Sequence, residues 1–359
     1  MKKIFVAALA LLSIRAVAQT EPEKSKLTIS GYAEVYYQQD FNNPLSNTRP
    51  GFVYSHNRNN EVSLNLGVVK AAYANDKVRA NLGLGVGSYM NANYAAEEGV
   101  LKNIFEANVG VKLSSKSDLW LDAGILPSHI GFESAIGADC FTLTRSMLAD
   151  NSPYFETGAK LSYSTPDGKW SMAALILNSW QRIQRVEGNS TPAFGHQLTF
   201  RPSGKVLLNS SSFIGNDLPD VDRRTRYFHN FYGQFTLSSK LALIAGFDFG
   251  AQQKTKGSDN YDTWYSPVLI AKFSASDKVS LAARGEYYND KNGVIIATGS
   301  PNGFQTFAAS LNLDYQILPN LVWRTEVKNL SGKDAIFVNR DEELTKGNVM
   351  AITSLAIKF

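Results

Sequence analysis

Apolar and polar residues alternate in runs of roughly ten along nearly the whole chain, each run closed by a cluster of turn-forming residues. In the last run Val349, Ala351, Thr353, Leu355, Ile357 and Phe359 share one face, with Asn348, Ser354 and Lys358 among those on the other. Side chains on an extended strand point alternately to opposite sides, so this two-residue period predicts strands with one apolar and one wetter surface. About sixteen such runs, with no helices between them to cover a sheet, predict an all-β, antiparallel up-and-down barrel that spans a membrane. The strands are expected near 27–38, 60–74, 77–90, 103–114, 118–126, 154–165, 169–180, 193–201, 205–215, 226–238, 240–252, 262–275, 278–289, 303–317, 320–330 and 347–359.

Connection lengths alternate, and that sets the topology. Short turns fall at Asn75-Asp76, Ser115 to Asp118, Pro166 to Gly168, Pro202 to Gly204, Ser238 to Lys240, Ser276 to Lys278 and Pro319-Asn320, all rich in turn formers. Longer polar segments lie between them. In outer-membrane barrels the short turns face the periplasm, which puts both termini there. One face is apolar in most strands: Leu119, Leu121, Ala123 and Ile125 share it, as do Leu241, Leu243, Ala245, Phe247 and Phe249. Strands seven and nine alternate poorly. Tyr37, Tyr163, Trp180, Phe249, Trp264 and Phe359 lie near strand ends, where an interfacial girdle of aromatics is expected.

The opposite faces carry the charges. Glu34, Glu106, Asp122, Glu156, Asp248, Glu286, Asp314 and Glu326 are interspersed with Arg79, Lys112, Lys160, Arg284, Arg324 and Lys328. Charge against lipid is expensive, so alternation assigns these residues to the lumen wall. A barrel of this size encloses more space than side chains fill, which implies an aqueous channel.

Residues 1–18 differ from the rest, with Lys2 and Lys3, an apolar stretch Ile4 to Leu12, and Ala16-Val17-Ala18 as a small-x-small cleavage site. They read as a secretion signal, followed by a short segment 19–26 and the barrel 27–359. Removing the signal takes three bases and no acid, which lowers the formal charge from +4 to +1. No concentrated basic face remains to bind nucleic acid. The short segment before the first strand leaves no room for a plug domain, which favours passive diffusion over energised transport.

With this pattern, the segment Gly124-Ile125-Leu126-Pro127-Ser128-His129-Ile130-Gly131-Phe132-Glu133 and the terminal Phe359 resemble the OmpL-like β-barrel porins of Bacteroidetes-type bacteria. The resemblance implies a pore in the outer membrane and, for Phe359, the terminal aromatic signal read by the barrel assembly machinery. It names no solute.

The stretch from Pro127 to Pro153 is the longest loop and the third of the long set. It mixes small residues with His129, Glu133, Asp139, Arg145 and Asp150, and Phe141 to Ala149 suits a short helix. Long loops in compact domains are often functional, and in many porins the third loop folds inward. These five residues are therefore the constriction candidates, against an outward surface loop. Asp217, Asp220 and Asp222 lack ordered calcium-loop spacing and read as a solvated loop paired with Arg223, Arg224 and Arg226. Those arginines, with Arg182 and Arg185, suit either the attraction of anions at the mouth or the binding of lipopolysaccharide phosphates. Gly83-Leu84-Gly85-Val86-Gly87 reads as small side chains within a strand, with no helix after it, rather than as a phosphate loop. His56, His129, His196 and His229 have no metal-ligand spacing, Cys140 reads as a small loop residue, and no cofactor is implied.

The expected function is an outer-membrane porin that passes small hydrophilic solutes with weak ion selectivity. Its rivals are an occluded surface-binding or structural barrel and, further off, a membrane-embedded hydrolase. A homotrimer is expected by analogy with barrels of this size.

Overall fold

The computed structural model describes residues 26–359, so the expected leader lies outside the described residues. Sixteen antiparallel strands close into one barrel, from Lys26–Asp40 to Gly347–Lys358, each hydrogen-bonded to its neighbours in sequence. A two-stranded ribbon, Phe337–Val338 with Leu344–Thr345, decorates the last long loop. Closure runs from Tyr32 opposite Lys358 to Asp40 opposite Met350. It leaves no sheet edge, which the absence of water in a bilayer core requires.

Phe359 extends this seam, exchanging backbone hydrogen bonds with Gly31 at 2.7 and 3.0 Å. A Cβ on Gly31 would come within 2.3 to 2.9 Å of the Phe359 ring edge, so the glycine makes the seat for the terminal aromatic. Gly31→Leu should therefore lower the yield of SDS-resistant, heat-modifiable barrel. Equal yields for wild type and Gly31→Leu would refute the seat.

The expected strands appear within a few residues of their predicted bounds, with one larger difference. The third is Val78–Val86 and stops where Gly87 takes φ 119°, after which Ser88–Asn93 forms a helix. The glycines here therefore do precede a helix, contrary to expectation. They serve packing: a Cβ on Gly85 would lie 2.8 Å from Met90 Sδ, and one on Gly87 would lie 2.5 Å from the Asn65 carbonyl. No phosphate need be invoked.

Exposed aliphatic and aromatic side chains such as Leu121, Phe247, Leu269, Leu311 and Leu355 form the outer belt. The poor alternation of strands seven and nine has two causes. In Trp170–Leu177 the inner face is apolar too, because Leu175 and Leu177 join an internal cluster with Phe213, Phe228, Trp264 and Phe304. In Val206–Gly215 the outer face carries Ser210 and Ser212, which hydrogen-bond outward-facing His229 and His196 at 2.9 and 2.6 Å. Two girdle assignments need correction. Trp264 points inward and is 1% exposed, and Trp180 packs edge-on against Phe213 and Phe228 in the same internal cluster. Ile125 also departs from an open lipid-facing position, being buried against neighbours that include Ala107 and Phe155.

Candidate functional site

The long loop between Pro127 and Phe155 lies inside the barrel and touches its wall on several sides. Its ends are held together where the Ser128 amide donates to the Tyr154 carbonyl at 3.0 Å. His129 then ties it to strands six, eight and nine. The ring Nδ1 is 2.7 Å from Glu156 Oε2 and Nε2 is 2.8 Å from the Ser212 carbonyl. Burial pulls this imidazole's pKa down, but the Glu156 carboxylate and the Ser212 carbonyl prevail and hold it above its ordinary value. With both nitrogens facing acceptors, the ring is a doubly donating clamp with no free nitrogen for proton transfer. The His129 carbonyl accepts from Gln197 Nε2 at 2.9 Å and from Ser211 Oγ at 2.7 Å.

The loop next crosses to the seam. A 3₁₀ turn, Gly137–Asp139, sits over the first strand, where the Ala138 amide donates to the Tyr32 hydroxyl at 3.3 Å. Arg324 grips the turn from the wall, donating to the Gly137 carbonyl at 2.6 Å and the Cys140 carbonyl at 3.0 Å while it pairs with Asp314 at 2.7 Å. Asp139 is exposed and pairs with Lys358 near the chain terminus. It therefore stands apart from the other four candidates.

From Thr142 to Met147 the loop docks on strands thirteen to fifteen. The Thr144 amide and hydroxyl both donate to Glu326, at 2.6 and 2.9 Å, and the Met147 amide donates to Glu286 at 2.5 Å. Arg284 lies at the centre. Its side chain is fully buried, reaching Glu326 at 2.9 Å, Glu286 at 3.2 Å and Glu133 at 3.9 Å, and donating to the Thr144 carbonyl at 2.7 Å. Lys328 adds a second cation, 2.9 Å from Glu286. Buried carboxylates demand such partners, because an uncompensated charge in low dielectric costs several kcal/mol.

Arg145 and Asp150 belong to the loop's own framework. Arg145 donates to the carbonyls of Ser134, Leu143 and Ala135 at 2.8 to 3.2 Å and pins the loop to itself. Glu133 accepts from the Ser146 amide at 3.0 Å and also from its hydroxyl. The expected helix over 141–149 is shorter, Met147–Asp150, capped by Ser146. Burial pushes the Asp150 carboxyl up to about 6, against the opposing pull of Lys328 and Arg145.

The expected wall residues divide between this cluster and the rest of the lumen. Arg284, Glu286, Arg324 and Glu326 hold the third loop, and Glu34 lies close to its 3₁₀ turn. Arg79 pairs with Asp122 at 2.5 Å and covers Trp120, which Lys112 also approaches. Glu106 pairs with Lys70 at 2.5 Å. The acids of the loop at 217–222 take separate partners, Asp217 with Arg226 and Asp220 with Ser190 and Thr191.

The first long loop, residues 41–61, also folds inward, which the sequence reading did not anticipate. Arg49 is buried against Asp40 and donates to Asn348 at 2.7 Å. His56 lies 3.1 Å from Glu34, which accepts from Asn65 at 2.9 Å. Cavities lie on both sides of these inward-folded loops. A vestibule of about 1020 Å³ opens at the long-loop end, and cavities of about 590 and 270 Å³ lie toward the short turns. Between them Arg49, Thr144, Arg145 and Asp150 line a space of about 20 Å³, room for about one water.

A closed sixteen-stranded antiparallel barrel, apolar outside and charged within, with a long loop across its lumen, is the architecture of an outer-membrane porin. The chain belongs to the family described as "Putative beta-barrel porin-2, OmpL-like", whose model matches residues 26–359. No curated protein sequence matches it. Among solved structures it is similar to an anion-selective porin from Comamonas acidovorans, with TM-score 0.63, 8% identity, and 94% of this chain and 100% of that chain covered. It is also similar to in-vitro folded OmpT of Vibrio cholerae in its trimer form, with TM-score 0.61, 11% identity, and 93% and 99% covered. The outer membrane channel DcaP of Acinetobacter baumannii gives TM-score 0.59 at 10% identity, with 93% and 97% covered. At these identities the likeness is one of fold. Family and fold place the protein in the outer membrane as a porin channel, and they point to a channel rather than an enzyme.

Proposed function

We propose that this porin passes small hydrophilic solutes passively and that the third long loop sets its aperture, in a conformation that is closed here. The carrying observation is the docking of Thr142 to Met147 on Arg284, Glu286 and Glu326, with a space of about 20 Å³ beside Arg145 and Asp150. His129, Glu133, Arg145 and Asp150 shape that constriction, and Asp139 acts at its short-turn side. The wall pairs Arg79 with Asp122, Lys70 with Glu106 and Arg324 with Asp314 neutralise one another locally. They support weak ion selectivity, since no single-sign field runs along the lumen. In this reading residues 1–18 are a cleaved leader, both termini face the periplasm, and Phe359 is the assembly signal. The long-loop rim meets lipopolysaccharide, and three copies associate as in the trimeric OmpT.

The burial of Thr142 to Asp150 inside the barrel favours a second reading, a barrel that stays occluded and serves as a surface scaffold. Planar-bilayer recording separates the two. The channel reading expects discrete openings and a modest reversal potential in a salt gradient. A lasting absence of openings would leave the scaffold, and a nearly ideal single-ion potential would overturn the mixed-charge lumen.

A further inference from the structure

The vestibule at the long-loop end does not have the lining that a filter for small ions requires. Three loops that are distant in sequence build it, and they line it mainly with carbon. Phe52 and Phe337 pack together at its floor, with ring centroids 6.3 Å apart, while Leu45, Ile295, Val338 and Leu344 line its wall. Leu45, Val338 and Leu344 are 67, 43 and 58% exposed, so apolar surface is presented to water at the mouth of the pore. Apolar patches of this kind in a concave site mark places where something binds. The volume, about 1020 Å³, is that of a small-molecule pocket.

The polar groups at the floor narrow the class of ligand. Arg49 is the buried cation there, and its charge is already matched by Asp40. Its Nη1 and Nη2 are engaged by Asp40 and Asn348, whereas its Nε–H has no hydrogen-bond partner among the described residues. A neutralised guanidinium with one spare donor suits an uncharged oxygen better than an anion, because a second carboxylate would face Asp40. Arg49 and Phe52 also line the 20 Å³ space beneath, so the vestibule stands directly above the constriction.

We infer that the vestibule is a solute-binding site for uncharged amphipathic small molecules, which lay an apolar ring or chain on the wall of Leu45, Ile295, Val338 and Leu344 and direct a hydroxyl or carbonyl oxygen toward Arg49. The inference deepens the channel reading by naming the class of solute that is captured before the constriction, and it rests on that reading.

Cysteine protection in lipid vesicles tests it without detergent to compete for the apolar wall. Leu45→Cys and Val338→Cys, each in a Cys140→Ser background, report from the vestibule, and Val221→Cys, 75% exposed on another loop, reports from outside it. The probe is para-nitrophenyl glucoside, with glucose as the solute that lacks an apolar body. Labelling of the two vestibule cysteines by a membrane-impermeant maleimide should slow severalfold with the aryl glucoside and remain unchanged with glucose. Val221→Cys should be indifferent to both, and adding Leu344→Glu to Leu45→Cys should abolish the protection. Unaltered rates with the aryl glucoside overturn the proposal, as does equal slowing by glucose. Slow labelling of both vestibule cysteines without any solute also overturns it, since a second copy of the chain then covers the rim. Conductance recorded from the same vesicles keeps the two claims apart: openings without protection remove only the binding site, and protection without openings removes only the channel.

Discussion

Deleting Ser134 to Leu148 should raise single-channel conductance severalfold while leaving the barrel folded. The deleted stretch includes the 3₁₀ turn gripped by Arg324 and the Thr142 to Met147 segment docked on Arg284, Glu286 and Glu326. Its removal joins the cavities on the short-turn side to the vestibule. The cut is geometrically mild, because the Glu133 carboxylate accepts from the Ser146 amide at 3.0 Å and the Ser146 hydroxyl accepts from the Ala149 amide at 3.2 Å, which brings the Glu133 side chain close to Ala149. The remaining wall is hydrogen-bonded strand to strand and does not depend on the loop for closure. Planar-bilayer recording gives the conductance, and circular dichroism with heat-modifiable migration confirms the β-barrel. A well-folded deletion variant with wild-type conductance would move the aperture elsewhere, with the inward-folded first loop and Arg49 as the next place to cut.

The wall of this protein was legible because each strand obeys a local rule. Alternation and turn chemistry depend on neighbours in sequence, so the sixteen strands, the seven short turns and the inward parity of Arg284, Glu286, Arg324 and Glu326 follow from reading along the chain. Exceptions arose where contacts came from afar. Trp264 was assigned to the girdle from its place near a strand end, but its parity is that of buried Ser266 and Val268, and that parity was readable. The apolar inner face of strand seven was not readable, since Leu175 and Leu177 are apolar inward only because Phe213, Phe228 and Phe304 meet them there. The contents of the lumen were the least visible part. Residues 41–61 are nearly as long as the third loop, and that length was the available signal, yet no periodicity reveals that Arg49 finds Asn348 or that His56 finds Glu34. Of the loop candidates, His129, Glu133, Arg145 and Asp150 are all buried in the loop's framework, while Asp139 is on the exposed side beside Lys358.

Arg284→Met should unseat the third loop without unfolding the barrel, and it should make the pore larger and more cation-selective. Arg284 is the cation that faces Glu133, Glu286 and Glu326 together, and it also donates to the Thr142 hydroxyl at 2.9 Å and to the Thr144 carbonyl at 2.7 Å. Methionine fills much of the volume but leaves three carboxylates with Lys328 as their main remaining counter-charge. Breaking a buried ion pair from one side costs about 3–5 kcal/mol, enough to offset one or two of the hydrogen bonds, about 1.5–3 kcal/mol each, by which Thr144 and Met147 dock on Glu326 and Glu286. The loop is the part able to move, because the wall strands are fixed by their ladders on both sides. Amide hydrogen exchange over Thr142 to Met147 should therefore accelerate, conductance should rise, and the reversal potential in a salt gradient should shift toward that of the cation, as surplus negative charge is left at the narrowest section. Pairing Arg284→Met with Glu326→Gln removes one of the stranded charges and should recover part of the exchange protection and of the original selectivity. If the single variant exchanges and conducts like wild type, the Arg284 cluster does not hold the loop, and its docking would have to rest on the Arg324 grip at Gly137 and Cys140.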